Sequence, residues 1–257
     1  MEEKYIICED SLEGIFTAVY DAYALREGHE HMHVQVGEEE NYRLFAVYMH
    51  SSPDSVKTDK VARTLQNRLG EEVYAAVCRA AASYDKQKGD AVYRTIVEGI
   101  TAGSGRRTME NLRNPYVRKA FELARRTANE VHHELEFIRF QETQQGVLYA
   151  KIGPENNVMP FVMPHFADRL ATEDFMVHDE KRRLFGVHPA GREWFLVSDV
   201  EDFAPDSLIW SADEERYRDL FTLFHKTIAI AERKNLRLQQ QMLPLRFQEY
   251  MVEFHSK

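Results

Sequence analysis

The sequence predicts an α+β protein, helix-rich in its N-terminal and middle part, with an antiparallel sheet in the C-terminal half flanked by helices. Three observations predict it. Apolar residues recur at helical spacing through much of residues 12–131. After His133 the rhythm changes to short strand-like runs at 137–141, 147–151, 175–178, 184–188 and 194–197. Turn signals, Gln145-Gly146 and Pro189-Ala190-Gly191, separate some of these runs, and helical spacing returns at 213–234 and 244–255.

In chain order, residues 5–8 read as a short strand. Asp10 stands three residues before Glu13, the spacing of a capping box, and opens a helix marked by Leu12, Ile15, Phe16, Val19 and Tyr23. Residues 44–48 are short and apolar, as in a buried strand. Ser52-Pro53-Asp54 starts a helix that runs through 57–69 and stops at Gly70; residues 73–83 and 91–100 are two more helices. Residues 99–107 hold three glycines and a basic pair and read as a hinge. It divides an α/β and helical region, 1–105, from an α+β region, 106–257, with one continuous domain as the alternative. Asn114-Pro115 opens a long helix whose apolar stripe is Val117, Ala120, Phe121, Ala124, Ala128 and Val131, with Arg118, Arg125 and Arg126 off it. Residues 157–170 are mostly helical, and Pro244 suits the first position of the last helix.

Composition narrows the function. A chain of 257 residues can bury a sizeable core. No apolar run approaches the ~20 residues that span a bilayer, so no membrane association is expected. The start, Met1-Glu2-Glu3-Lys4, does not resemble a secretory signal, and two distant cysteines build no disulfide framework, so a cytoplasmic location is expected. A net charge of −9 argues against indiscriminate coating of a polyanion. Between Arg106 and Arg126, however, seven basic residues face two acidic ones. Such a local basic face suits selective phosphate contact; a solvated helix face with internal ion pairs is the alternative.

Polar candidates cluster from residue 130 onward. Glu130 and His133 share a helix face, as in di-iron Glu-x-x-His sites, but no second half-site occurs. Glu130 paired with Arg126, or orienting His133, is the simpler reading, and His132 lies on another face. His29, His31 and His33 alternate and could bind zinc from one strand face, yet their charged, glycine-flanked surroundings read as exposed loop. Cys8-Glu9-Asp10 is either a buried cysteine with a capping aspartate or a thiol at a helix start. His165 and Arg169, four apart, present a paired donor face for phosphate or carboxylate. Asp179 with Arg182 and Arg183 is an ion-paired turn or a cleft wall. Glu232-Arg233-Lys234-Asn235 suits a helix end, whereas Arg246, near a helix start, is the better contact candidate. No phosphate-loop, dinucleotide, nucleophile-elbow or paired-cysteine motif occurs; Gly103-Ser104-Gly105 before Arg106-Arg107 is a weak phosphate cradle. No cofactor and no metal are predicted.

The ordered set Cys8-Glu9-Asp10-Ser11-Leu12-Glu13-Gly14-Ile15-Phe16, Tyr20-Asp21-Ala22-Tyr23, Asn114-Pro115-Tyr116-Val117, Glu130-Val131-His132, Arg139-Phe140, Leu148-Tyr149-Ala150, His165-Phe166-Ala167-Asp168-Arg169, Asp179 with Arg182, Glu232-Arg233-Lys234-Asn235 and Pro244-Leu245-Arg246-Phe247 resembles a bacterial family described as proteins of DNA metabolism or repair. The resemblance spans nearly the whole chain. It departs at Glu136-Phe137, where Gly-Phe is expected, and at Leu220-Phe221, where Leu-Trp is expected. The family is commonly encoded beside a radical SAM protein thought to act on DNA, and some members are fused to a uracil-DNA-glycosylase-like domain. The resemblance therefore implies a pathway and a partner, not a mechanism.

Three readings follow. In the first, the protein is a DNA-binding accessory of a radical SAM enzyme: Arg106, Arg107, Arg125 and Arg126 contact phosphates, while Arg139, His165, Arg169 and Arg182 line a deeper cleft and Arg246 adds a contact. In the second, it is an enzyme acting on a nucleic acid or base, with Glu130, His132, His165 and Asp179 as its acid-base pool. In the third, it is a non-catalytic structural subunit.

Overall fold

The computed structural model describes residues 2–38, 43–198, 208–227 and 235–254. Glu39, Glu40, Glu232, Arg233, Lys234 and His255, which entered the sequence reading, lie outside them. The chain forms two compact units, Met1–Asn129 and Glu130–Lys257. The glycine-rich segment 99–107 therefore lies inside the first unit. The reason is local packing: the backbone of Gly99 is pressed against Thr108 and Leu69, where a Cβ would meet Thr108 Oγ1 at 2.7 Å.

The first unit is built on a parallel sheet of β1 (Glu3–Cys8), β2 (Met32–Val36) and β3 (Ala46–Ser51), in the order β2-β1-β3. Ile6 and Cys8 of β1 and Val34 and Val36 of β2 face the core formed with α1 (Leu12–Ala24), α2 (Ser55–Leu69), α3 (Glu71–Ala81) and α4 (Lys88–Thr101). Parallel strands need long connections, and α1 supplies the one from β1 to β2. The α1 cap is Ser11, whose Oγ accepts from Gly14 N at 2.9 Å; Asp10, the expected cap, instead pairs with buried Lys88. Asp54 caps α2 by accepting from Lys57 N at 3.0 Å. Gly89 lets α4 lie directly on β2: a Cβ there would stand 2.6 Å from Val34 O. Arg94, one turn on, donates to the backbone carbonyls of His29, Glu30 and Met32 and fixes that contact.

The long helix α5 (Pro115–Phe137) starts at Pro115 as expected, with Asn114 Oδ1 accepting from Tyr116 N at 3.0 Å. Its buried face differs from the expected stripe. Leu123 and Thr127 are buried, whereas Phe121 is 37% exposed. Within the first unit the buried face follows Val117, Ala120, Ala124 and Thr127; within the second, Glu130 and Glu134 are buried.

The second unit holds a five-stranded sheet in the order β4-β5-β6-β7-β8: β4 (Gln141–Glu142), β5 (Leu148–Ile152), β6 (Phe175–Asp179), β7 (Leu184–His188) and β8 (Phe195–Ser198). The α+β architecture is as read from the sequence, but the sheet is mixed. β5 and β6 are parallel because α6 (Met159–Arg169) carries the chain back between them; the other pairs are antiparallel. Val158, Met159, Val162 and Met163 pack with Ala150, Ile152, Phe175 and Val177 in the core. The chain then forms α7 (Ala212–Thr227), α8 (Leu236–Met242) and α9 (Leu245–Gln248), and Val252–Phe254 form a 3-10 turn. Among the described residues no helix is long and apolar enough to cross a membrane.

Candidate nucleic-acid interface and a buried carboxylate cluster

The strand register builds one wall of a cleft in the first unit. Tyr5 stands opposite His33 of β2 and Tyr48 of β3, on the face turned away from Ile6 and Cys8. The three rings stack across the sheet, with centroids 4.7 Å apart for Tyr5–His33 and 5.2 Å for Tyr5–Tyr48. The Arg43 guanidinium lies 5.4 Å from the Tyr5 ring centre, within cation–π range. Asp90, brought up by the close approach at Gly89, binds His33 Nδ1 at 3.1 Å, and Glu3 binds its Nε2 at 3.0 Å. The Asp90 carboxylate, with Glu3, holds His33 above the ordinary histidine range, against the opposing effect of burial.

The start of α5 and the segment before α4 supply the rest. Tyr116, Arg118, Lys119 and Glu122 of α5, with Lys86 and Gln87, enclose about 780 Å³ beside Tyr5, His33 and Arg43. Lys119 is held by Asp85 at 2.7 Å. Among the described residues Lys86 and Arg118 have no carboxylate partner. Arg118, Arg125 and Arg126 fall within about 100° of one another around the helix, so the cationic face continues beyond the cleft. Arg125 and Arg126 are exposed, as the sequence implied. Arg106 is exposed beside Gly70, and Arg107 pairs with Glu110 at 2.8 Å.

The histidine triplet is held by carboxylate and tyrosine partners. His29 Nδ1 meets Tyr93 Oη at 2.7 Å, His31 binds Glu3, and His33 binds Glu3 and Asp90. Among the described residues no group of three metal-ligating side chains converges. Met32, Val34 and Val36 are buried in alternation with His33 and Gln35, so the segment expected to be a loop is a strand with a short 3-10 turn at His29–His31. Cys8 is buried, its Sγ donates to Gln35 O at 3.4 Å, and burial pushes its thiol up to about 12. That environment disfavours the thiolate a nucleophile needs.

In the second unit two of the expected cleft residues, Arg139 and Arg182, are tied to carboxylates. Glu130 is buried and accepts from Glu155 N at 2.9 Å, Asn156 N at 2.8 Å and Asn156 Nδ2 at 2.6 Å, with Arg246 Nη2 at 3.4 Å. Its partner is therefore the loop after β5, not Arg126 or His133. Asp179, fully buried at the end of β6, accepts from Lys181 N and Arg182 N and pairs with Arg182 Nη1 at 3.0 Å. Burial raises the Asp179 carboxyl, while Arg182 opposes that shift. Arg182 also donates to Pro154 O and Glu155 O, so Glu130 and Asp179 clasp the same loop. Arg139 is tied to buried Glu253 at 3.0 Å, and Arg246 also reaches Glu155 at 3.2 Å. These contacts make Arg139 and Arg182 structural pairs rather than free anion contacts.

Of the four acid-base candidates, Glu130 and Asp179 come together around the loop after β5, whereas the two histidines are exposed. His132 is exposed and meets Glu136 at 3.1 Å; His165 is exposed on α6, on one face with Arg169, which is also exposed. His133 stacks on Phe137 and packs edge-on against Phe247. Glu134 is the residue sequence reasoning missed. It is 4% exposed. Burial, then the neighbouring Glu130 and Asp179, push it up to about 8. Its spacing of four from Glu130 was the available signal.

Fold and site define an α+β protein with an aromatic, cation-lined cleft in one unit and a closed carboxylate–arginine cluster in the other. A family model matches residues 86–253, and the chain belongs to that family, a domain of unknown function, DUF4130. No curated protein matches the chain.

Proposed function

We propose that this protein is a nucleic-acid-binding accessory protein of DNA metabolism or repair, which presents single-stranded or damaged DNA to a partner enzyme. By the resemblance set out above, that partner is a radical SAM protein. The observation that carries the reading is the first unit's cleft. It combines a largely buried floor of stacked Tyr5 and His33, an exposed ring at Tyr116, and the cations Arg43, Lys86 and Arg118. Rings stack on unpaired bases and cations track the backbone, and single-strand binding combines these two contacts. A cleft this size takes one or two nucleotides, whereas a duplex meets only its rim. Arg125 and Arg126 extend the path for the strand.

The test is a titration of labelled single-stranded, duplex and uracil-containing DNA at several salt concentrations, with and without the partner. With about four cations engaged, log K falls against log salt with a slope of about −3 for a single strand. Arg118→Gln and Arg43→Gln each flatten it by about 0.7. Salt-independent affinity, no binding with the partner present, or a slope untouched by both substitutions overturns the reading.

A further inference from the structure

A second hollow in the first unit lies away from the cationic cleft and is chemically different. It runs along α2 against α1 and α4 and encloses about 210 Å³. Its floor is the buried trio Val61, Leu65 and Ile96. Lys60, Thr64 and Arg68 are spaced i, i+4, i+8, so they form one stripe along its edge, with the two cations about 12 Å apart along the helix axis. Neither cation has a carboxylate partner among the described residues. Tyr23 forms part of the wall, and its hydroxyl is buried with no hydrogen-bond partner among the described residues. Burial pushes that phenol up to about 12, and the charge of Arg68 acts on it in the opposite sense. The donor is therefore protonated, and Arg68 lines the same hollow.

An unmet buried donor in a native protein needs an explanation, and a ligand in the adjoining hollow supplies one. The combination specifies a ligand. The apolar floor takes a hydrocarbon body. Arg68 offers a fork of donors, and the Tyr23 hydroxyl offers one more. A cavity of about 150 Å³ takes benzene, so this one has room for a ring carrying a short chain.

We propose that this hollow binds a small amphiphilic carboxylate, an aromatic or medium-chain aliphatic acid, with its carboxylate on Arg68 and Tyr23 and its apolar body over Val61, Leu65 and Ile96. The proposal is independent of DNA binding.

The probe is 4-phenylbutanoate, titrated calorimetrically into the full chain, with 4-phenylbutan-1-ol as the neutral analogue. The acid binds with a Kd on the order of 0.1 mM. Arg68→Gln weakens it about tenfold, as loss of a charge-assisted pair does. Tyr23→Phe weakens it about three- to tenfold, yet leaves the Tm of the unliganded protein unchanged or higher, because an unmet hydroxyl is removed. Thr64→Trp fills the hollow and abolishes binding. No saturable heat up to about 10 mM acid, equal affinity for the alcohol, or unchanged affinity in Arg68→Gln overturns the proposal.

Discussion

Glu134 gives the sharpest test of the second unit. It is 4% exposed and lies near Glu130 and Asp179, with Arg246 and Lys181 opposing their effect. Burial and the two like charges push its pKa up to about 8, from an ordinary value of 4.5. The folded state therefore holds a proton that the unfolded chain releases above pH 4.5. Below 4.5 both states are protonated and the group costs nothing. As pH rises from 4.5 to 8, the unfolded state binds fewer protons than the native one, and stability falls. Above 8 both are ionised and the loss levels off. One pKa unit is about 1.4 kcal/mol, so the loss between pH 5 and pH 8 is about 3 kcal/mol. Glu134→Gln removes the titration and leaves nearly every other group in place. Urea unfolding of both proteins from pH 5 to pH 8 isolates the effect, because their shared titrations cancel. The two stabilities converge toward pH 5 and separate by about 3 kcal/mol at pH 8, with the glutamine variant gaining. A constant offset donated by the new amide is compatible with this; its change with pH is the test. Parallel curves across that range refute the protonated, buried carboxyl.

Other perturbations test the packing around it. Arg139→Met leaves Glu253 buried and unpaired and lowers stability by about 3–5 kcal/mol, while the double variant with Glu253→Met recovers most of it; a single-variant loss under about 1 kcal/mol contradicts the pairing. Gly153→Ala drives a Cβ into the Tyr250 ring, which Glu180 holds by its hydroxyl. It costs about 2–3 kcal/mol by urea midpoint, and Tyr250→Ala in the same chain relieves it; an unchanged midpoint in the single variant rejects the close approach. Cys8, with its thiol pushed up to about 12, reacts with iodoacetamide at pH 8 at least ~100-fold more slowly in the native protein than in urea; equal rates exclude the buried site.

What the sequence disclosed was what depends on near neighbours. Asp54 and Pro115 mark helix starts by local chemistry, and both stand where the sequence put them. The Ser11 cap was misplaced by one residue because two adjacent polar side chains could each fill it; Asp10 is drawn off by Lys88, 78 positions away. β2 was hidden for a similar reason. Met32, Val34 and Val36 do alternate, but His33 and Gln35 between them and charged flanks on both sides imitate a loop. What stabilises this strand is parallel pairing with β1 and neutralisation of His33 by Glu3 and Asp90, which the spacing does not encode. The expected strand at 137–141 shrank because α5 runs on to Phe137, leaving only Gln141–Glu142 to pair. The basic run at 106–126 was visible because it is contiguous. The opposite wall of its cleft, Tyr5 with His33, comes from register and was not. Glu130 stood out in the sequence as a carboxylate on a patterned helix, yet its partners at Asn156 and Arg246 lie 26 and 116 positions away.

The partition of cations ties these observations together. A chain of net charge −9 has carboxylates to spare, so an arginine is informative only once its partners are known. In the second unit buried carboxylates take Arg139, Arg182 and Arg246, and removing a buried partner leaves a charge that the interior tolerates poorly. These arginines are held by the fold and are poorly placed to exchange a carboxylate for a phosphate. In the first unit Lys86, Arg118, Arg125 and Arg126 keep their charge facing water. An incoming phosphate there displaces water and counterions only, which makes the contact inexpensive and salt-sensitive. At about 0.1 M salt the screening length is ~10 Å, so a local cluster of cations acts on a strand before the distant negative charge does. Net charge therefore does not argue against polyanion binding at the cleft. It leaves the local arrangement of cations, rather than the total, to decide where a polyanion could be held.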